Sequence, residues 1–237
     1  MFSLLNASEV LRDQTASGVF GHPVAWVYRP LDYAWLVHQA YVERFGKSPK
    51  QVVFVGMNPG PFGMVQTGIP FGEVAAVRDW MGLPDVVRIP QAQHPRRPVE
   101  GFGCRRSEVS GRRLWGLFAA RFGGAEAFFR NHYVLNYCPL AFLSDSGANI
   151  TPDHLSAVER EPLEAACDLH LRAVLGALRP EWVIGIGGFA AERARRVVGN
   201  AEAPRIGQVL HPSPASPAAN RGWAEAATRQ LEALGVW

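Results

Sequence analysis

Cysteine is scarce in this chain. Cys104, Cys138 and Cys167 stand far apart, and no Cys-x-x-Cys pair occurs. An odd, scattered set argues against a disulfide framework and for a reducing compartment. It also leaves too few thiolates for a four-cysteine iron–sulfur cluster. The 7 histidines lack ligand spacing such as His-x-x-x-His, so neither a metal nor another cofactor is expected. Long apolar runs are missing too, and Met1-Phe2-Ser3-Leu4-Leu5 has no basic n-region. The expectation is a cytoplasmic protein with no membrane partner. Neither sign of charge dominates. A formal charge of +3 and a pI near 9.0 permit a nucleic-acid partner without demonstrating one. No internal repeat or low-complexity tract is evident.

What is present is ordinary for a folded protein: 237 residues, 48% hydrophobic and 19% charged, which fits one domain with a continuous core. The chain is organised around Val52-Val53-Phe54-Val55-Gly56-Met57-Asn58-Pro59-Gly60-Pro61-Phe62-Gly63-Met64. Its β-branched and aromatic half reads as a buried strand. Pro59 and Pro61 supply no backbone N–H, and Gly60 and Gly63 permit unusual backbone angles, so the strand stops there. Asn58 thus sits where a central strand gives way to a tight loop. Asn is also a common turn residue, so position alone does not settle its role.

Along the chain, periodicity predicts helices over 31–45 and 73–81 and irregular chain over 82–106. A helix capped by Ser110 should run to 122, with a further turn or two over 125–131. Thr151-Pro152-Asp153 reads as a helix start, with Pro162 kinking or splitting that helix before 163–178. Strands are predicted at 51–56, 132–136, 182–186 and 206–210, and helices at 188–198 and 223–234. This alternation implies an α/β fold, a three-layer αβα arrangement around a central four-stranded parallel sheet. Asn58, Asn136, Gly187 and His211 then share one rim, where ligands of open parallel sheets bind.

Two asparagines and a histidine, with no carboxylate, make an unusual set. A fixed Asn can read an amide-like edge, such as the N–H and carbonyl of uracil. His211 can donate a hydrogen bond to an oxygen that gathers negative charge. Asn58 can orient a water but is no strong base. That suits a reaction in which the leaving group departs first and water attacks an electron-poor sugar, as in N-glycosidic cleavage. Phe62 and Phe71 bracket the loop and offer faces on which a flat base could stack. Arg96, Arg97, Arg105, Arg106, Arg112 and Arg113 lie in one span that could face phosphates.

A rival motif is Gly185-x-Gly187-x-x-Ala190, which matches a dinucleotide fingerprint. It would make the chain a nicotinamide-dependent oxidoreductase. The motif lies late in the chain, and no acidic residue clearly ends a following strand. A close helix–strand crossing explains its small residues. A third possibility is a non-catalytic module that senses damaged DNA; it would keep Asn136 and Phe71 without needing Asn58 or His211.

The loop motifs themselves carry a resemblance. Gly56-Met57-Asn58-Pro59-Gly60-Pro61-Phe62-Gly63-Met64 is followed by Gln66-Thr67-Gly68-Ile69-Pro70-Phe71-Gly72-Glu73. Ser107-Glu108-Val109-Ser110-Gly111, Asn136-Tyr137-Cys138-Pro139-Leu140 and His211-Pro212-Ser213-Pro214 come after it in order. From about residue 30 onward the chain resembles the single-strand-selective monofunctional uracil-DNA glycosylases.

The resemblance implies a uracil-DNA glycosylase fold, read here as one domain over 1–237; a monomer is expected. Its partners would be single- and double-stranded DNA containing uracil. Asn58 would position the attacking water and His211 would stabilise the departing uracil anion. Asn136 would read the uracil edge and Phe71 would stack on the ring. Met57, Gly60 and Met64 would shape the pocket, with Gly60 leaving room for 5-hydroxymethyluracil. Pro212, Ser213, Pro214, Ala215 and Arg221 would meet DNA. No lysine stands in these motifs, so no Schiff base or strand cleavage is implied. One departure stands out: Ala215-Ser216-Pro217 occupies the place of the family's arginine and Asn-Pro, in the loop that wedges the duplex.

Overall fold

The computed structural model describes residues 3–47, 49–200 and 202–237; Met1 and Phe2 of the amino-terminal stretch lie outside them. Ser3 caps α1 (Leu4–Thr15) by accepting the Asn6 N–H at 3.1 Å, and Leu4, Ala7 and Leu11 turn one face inward. Next come β1 (Trp26–Tyr28) and α2 (Pro30–Tyr33), with α3 (Trp35–Phe45) separated from α2 at Ala34. The helix expected over 31–45 is therefore interrupted near its start. The organising strand β2 (Val52–Gly56) is buried along its whole length. Its loop leads into the single turn α4 (Met64–Thr67), then a π-helical turn at Ala76–Trp80.

Beyond the irregular span follow α5 (Val109–Phe122), α6 (Ala125–Asn131) and β3 (His132–Asn136). Two short strands, β4 (Ala141–Leu143) and β5 (Asn149–Ile150), precede α7 (Ala157–Leu178). The chain closes with β6 (Trp182–Ile186), α8 (Gly188–Val198), β7 (Arg205–Val209), α9 (Pro217–Asn220) and α10 (Trp223–Ala233).

The main sheet has the order β3-β2-β6-β7 and is parallel throughout, as the alternating pattern predicts. From β2 the chain crosses one way to β3, then back past β2 to β6. Right-handed crossovers then put α5 and α6 on one face and α7 and α8 on the other. α10 packs on α5 and β7, and α1 on α7. Aromatics fill the α5–α6 side: the Phe118 and Phe128 rings stack at 4.3 Å between centroids, and Phe54 approaches Phe118 at 5.1 Å. The reversal of direction leaves a crevice at the carboxyl ends of β2 and β6.

Three local expectations are corrected. Glu108 rather than Ser110 occupies the N-cap position of α5, and Ser110 is buried in the first turn. Thr151-Pro152-Asp153 opens only a 3-10 turn at Pro152–His154, while α7 starts later with a capping box between Ser156 and Glu159. Of the two outcomes expected at Pro162, the split does not occur, since α7 runs through it. The carbonyl it leaves unpaired belongs to Val158, which is 84% exposed and open to water.

Candidate active site

The backbone pairing of β2 with β3 continues past both strands. Tyr137 N–H donates to the Gly56 carbonyl at 2.9 Å, and Cys138 N–H to that of Met57 at 2.8 Å. Asn58 is thereby laid beside the 138–140 turn, where its Nδ2 donates to the Leu140 carbonyl at 3.3 Å. With the NH₂ so engaged, Oδ1 is the atom left to accept from a water. Behind this turn, Tyr137 donates to Asp168 at 2.6 Å, and Arg193 bridges Asp168 and Glu164 at 2.7 and 2.9 Å. The turn is therefore anchored to α7 and α8.

Asn136 ends β3 directly opposite Gly56. Its Nδ2 lies 3.3 Å from the Met64 sulfur, and its Oδ1 is buried with no partner among the described residues. An unmet buried acceptor costs about 1–3 kcal/mol, so it marks a place where a donor is expected. Phe71 stands next to it in the left-handed region, at φ 54°. Trp115 Nε1–H donates to the Phe71 carbonyl at 3.0 Å. Gly111 lets α5 approach so closely that a Cβ there would lie 2.0 Å from the same oxygen. Two contacts thus hold the ring in an otherwise disfavoured backbone geometry.

His211 follows β7, with its ring centroid 6.1 Å from that of Phe71. Ser213 N–H donates to His211 Nδ1 at 3.1 Å, which makes Nδ1 an acceptor and leaves the proton on Nε2. Burial lowers the imidazole pKa below its ordinary value, so the ring is neutral near pH 7. The result is a fixed, uncharged N–H donor. Arg113 braces this loop by donating to the Pro212 carbonyl and to Asn220 Oδ1, each at 2.9 Å.

Between these groups lies a cleft of about 480 Å³, large enough for a nucleobase and its sugar. Met57, Asn58, Gly60, Phe71, Asn136, His211, Ser213 and Pro214 all line it. Met64 does not; it is buried behind Asn136 and shapes the cleft only through that side chain. Pro212 is buried, whereas Ala215 and Arg221 are exposed on the turn beyond and do not line the cleft.

Residue chemistry alone missed four lining groups: Glu108, Ser110, Asn149 and Thr151. The last two arrive on the β4–β5 hairpin, which pairs antiparallel with β1 in a small second sheet. Glu108 overturns the expectation of a rim without a carboxylate. It was hidden because it comes from a helix start, not a strand end. Its Oε2 accepts the Phe62 N–H at 3.2 Å, and a Cβ on Gly60 would lie 2.4 Å from that oxygen. The space beside Gly60 is therefore occupied by the carboxyl group. Burial raises the Glu108 pKa above the ordinary carboxylate value.

Phe62 faces away from a stacking role, since the Arg106 and Arg97 guanidiniums lie 4.1 and 5.4 Å from its ring centre. Arg96, Arg105 and Arg112 are exposed. At the fingerprint-like Gly185, a Cβ would stand 2.3 Å from Ala191 N, so the glycine serves a close crossing of β6 and α8. Among the described residues no cluster of three or more His, Cys, Asp or Glu could hold a metal ion. No described helix is long and apolar enough to cross a membrane.

The chain is similar to known proteins in sequence and in fold. The chain is 48% identical over 227 residues to the single-strand selective monofunctional uracil DNA glycosylase of Bos taurus, covering 95% of this chain and 84% of that protein. It is 49% identical over 218 residues to the corresponding Rattus norvegicus enzyme, covering 92% and 78% of the two chains. The crystal structure of wild-type SMUG2 from Pedobacter heparinus superposes with a TM-score of 0.70. It is 19% identical and covers 99% of this chain and 98% of that one, a likeness of fold. The model of the uracil DNA glycosylase superfamily matches residues 43–232, and the chain belongs to that superfamily.

Proposed function

We propose that this protein is a monofunctional uracil-DNA glycosylase, which draws uracil out of DNA and hydrolyses its N-glycosidic bond to leave an abasic site. The observation that carries the reading is the buried Asn136 Oδ1, without a partner among the described residues, beside the Phe71 ring. A pyrimidine stacked on that ring would place its imide N–H at this acceptor. Thymine and uracil offer such an N–H, whereas cytosine offers only a ring acceptor at the same position.

The reaction follows from the fixed groups. As the C1′–N1 bond stretches, negative charge moves onto the base carbonyl oxygens and positive charge onto the sugar. His211 Nε2–H stabilises the anion without giving up its proton, because a neutral imidazole is a weak acid. Asn58 Oδ1 holds a water against the sugar. Met57 and Gly60 complete the walls of the base pocket. No step needs an amine nucleophile, so strand cleavage through a Schiff base is not part of the proposal.

Pro212, Ser213, Pro214, Ala215 and Arg221 form the proposed DNA-facing turn, with Ser213 and Pro214 at the cleft mouth. Exposed Arg96, Arg105 and Arg112 would add phosphate contacts. Excision of 5-hydroxymethyluracil is included on the family resemblance alone. The protein is further proposed to act as a monomer on single- and double-stranded DNA, in the cytoplasm.

The test is base release from labelled single- and double-stranded oligonucleotides carrying one uracil or one 5-hydroxymethyluracil, with and without chelator. Free base, an alkali-labile site and indifference to chelator are expected. Failure to release uracil from either strand form would refute the reading. A borohydride-trapped covalent complex would refute its monofunctional part.

A further inference from the structure

Hydrolysis leaves one proton unaccounted for, the one lost by the attacking water. The Asn58 amide is not a base. His211 is not available either, because its Nδ1 lone pair takes the Ser213 N–H and its Nε2 already bears hydrogen. Hydroxyl and amide groups supply the rest of the polar lining. Glu108 is the one carboxylate among the residues lining the cleft.

Glu108 precedes α5, and its carboxyl lies within reach of the backbone N–H of Ser110 in the first turn of that helix. The carboxyl also reaches across to the loop that carries Asn58, accepting from Phe62 N–H and packing on Gly60 and Gly63. Only glycine at position 60 admits it, since Oε2 and Cδ would lie 2.4 and 2.8 Å from any Cβ there. Burial disfavours the charged form and outweighs the Phe62 and Ser110 backbone N–H groups that favour it, with Glu73 adding a lesser repulsion, so the carboxyl is held above its ordinary value. The positive end of α5 keeps the anion accessible.

We propose that Glu108 is the general base of the reaction, taking the proton of the water held by Asn58, directly or through one further water. The inference rests on the glycosylase reading. The C1′–N1 bond breaks first, its electron pair leaving with uracil as the anion held by His211, and the water oxygen then bonds to the electron-poor C1′. The water proton passes to the carboxylate, giving a neutral acid. When the products depart, the acid returns its proton to solvent and the uracil anion takes one up.

The test is single-turnover uracil release by wild type, Glu108→Gln and Glu108→Ala, alongside thermal melts and binding to an uncleavable 2′-fluorinated deoxyuridine oligonucleotide. Glu108→Gln keeps an oxygen for the Phe62 N–H, and should melt and bind like wild type. It should lose roughly 10²-fold or more in rate, the range of a general base. Glu108→Ala should lose a similar amount and regain part of it in proportion to added formate, whose carboxylate fits the vacated space. A purely structural side chain gives no such rescue. Wild-type rates in Glu108→Gln, or a Glu108→Ala defect unmoved by formate, would overturn the inference. An inactive wild type would instead strike the glycosylase reading itself.

Discussion

The sharpest prediction concerns Gly56, where the amide and the aromatic wall of the pocket meet on one Cα. A Cβ at this position would stand 2.4 Å from Asn136 Oδ1 and 2.4 Å from Phe71 Cε2. Neither neighbour has a free retreat. Asn136 lies against Met64, while the Phe71 backbone is held by Trp115 and by the close approach of Gly111. Gly56→Ala should therefore turn both side chains aside. Overpacking of this kind costs about 1–3 kcal/mol, and Tm falls by about 2–4 °C per kcal/mol in a chain of this size. The loss of function should be larger than the loss of fold. A displacement of about 1 Å at a reacting geometry costs roughly 10²-fold in rate. Single-turnover uracil release and a thermal melt on the same preparation separate the two effects. A folded Gly56→Ala protein that excises uracil at the wild-type rate would refute the assignment of Asn136 and Phe71 as pocket walls.

Other expectations follow from single side chains. Asn58→Ala should lose most excision yet keep its affinity for uncleavable DNA; full activity would remove the water-positioning role. His211→Ala deletes one preorganised donor and should slow release by roughly 10²–10³-fold, with binding of normal DNA unchanged. Acid should weaken the fold through His38 and His170, which burial pushes down to about 4 and about 3. Both are neutral when folded but take up a proton near 6.5 when unfolded, so stability is full above pH 6.5 and falls as pH drops. The loss reaches about 2 kcal/mol for each by pH 5. Thermal melts from pH 7.5 to 5 should show Tm falling; a flat Tm would contradict the buried neutral pair.

Much of this arrangement is legible in the sequence because parallel strands buried on both faces are written as short apolar runs. Val52-Val53-Phe54-Val55 and Val183-Ile184 are such runs, and the residues after them define the rim without further information. The small second sheet is not legible in this way. β1 and β4 have three residues each and β5 has two, too few to show a period of two. Its contribution of Asn149 and Thr151 to the cleft consequently depends on a tertiary fold-back. The start of α7 illustrates competition between signals: Thr151-Pro152 and Ser156-x-x-Glu159 are both plausible beginnings, and the reciprocal capping box prevails. Met64 shows the limit of reading a motif as a pocket, since a residue within the loop motif lies one layer behind it.

Three groups in the cleft depart from common local rules. Glu108 at a cap position turns its carboxyl onto a neighbouring loop, Phe71 adopts a positive φ without being glycine, and Asn136 buries an acceptor without a donor among the described residues. Each departure carries a cost elsewhere in proteins, and each is held by a neighbour present in the same small region: Phe62 N–H, Trp115 with Gly111, and Met64. Other departures, such as the positive φ of Arg179 at the end of α7, lie away from the cleft. Departures converging on one cleft are what a preorganised site requires, because groups needed by a substrate cannot all be satisfied in its absence. On the proposed reading Glu108 joins Asn58 among the reacting groups, although it reaches the cleft from a helix rather than from the end of a strand.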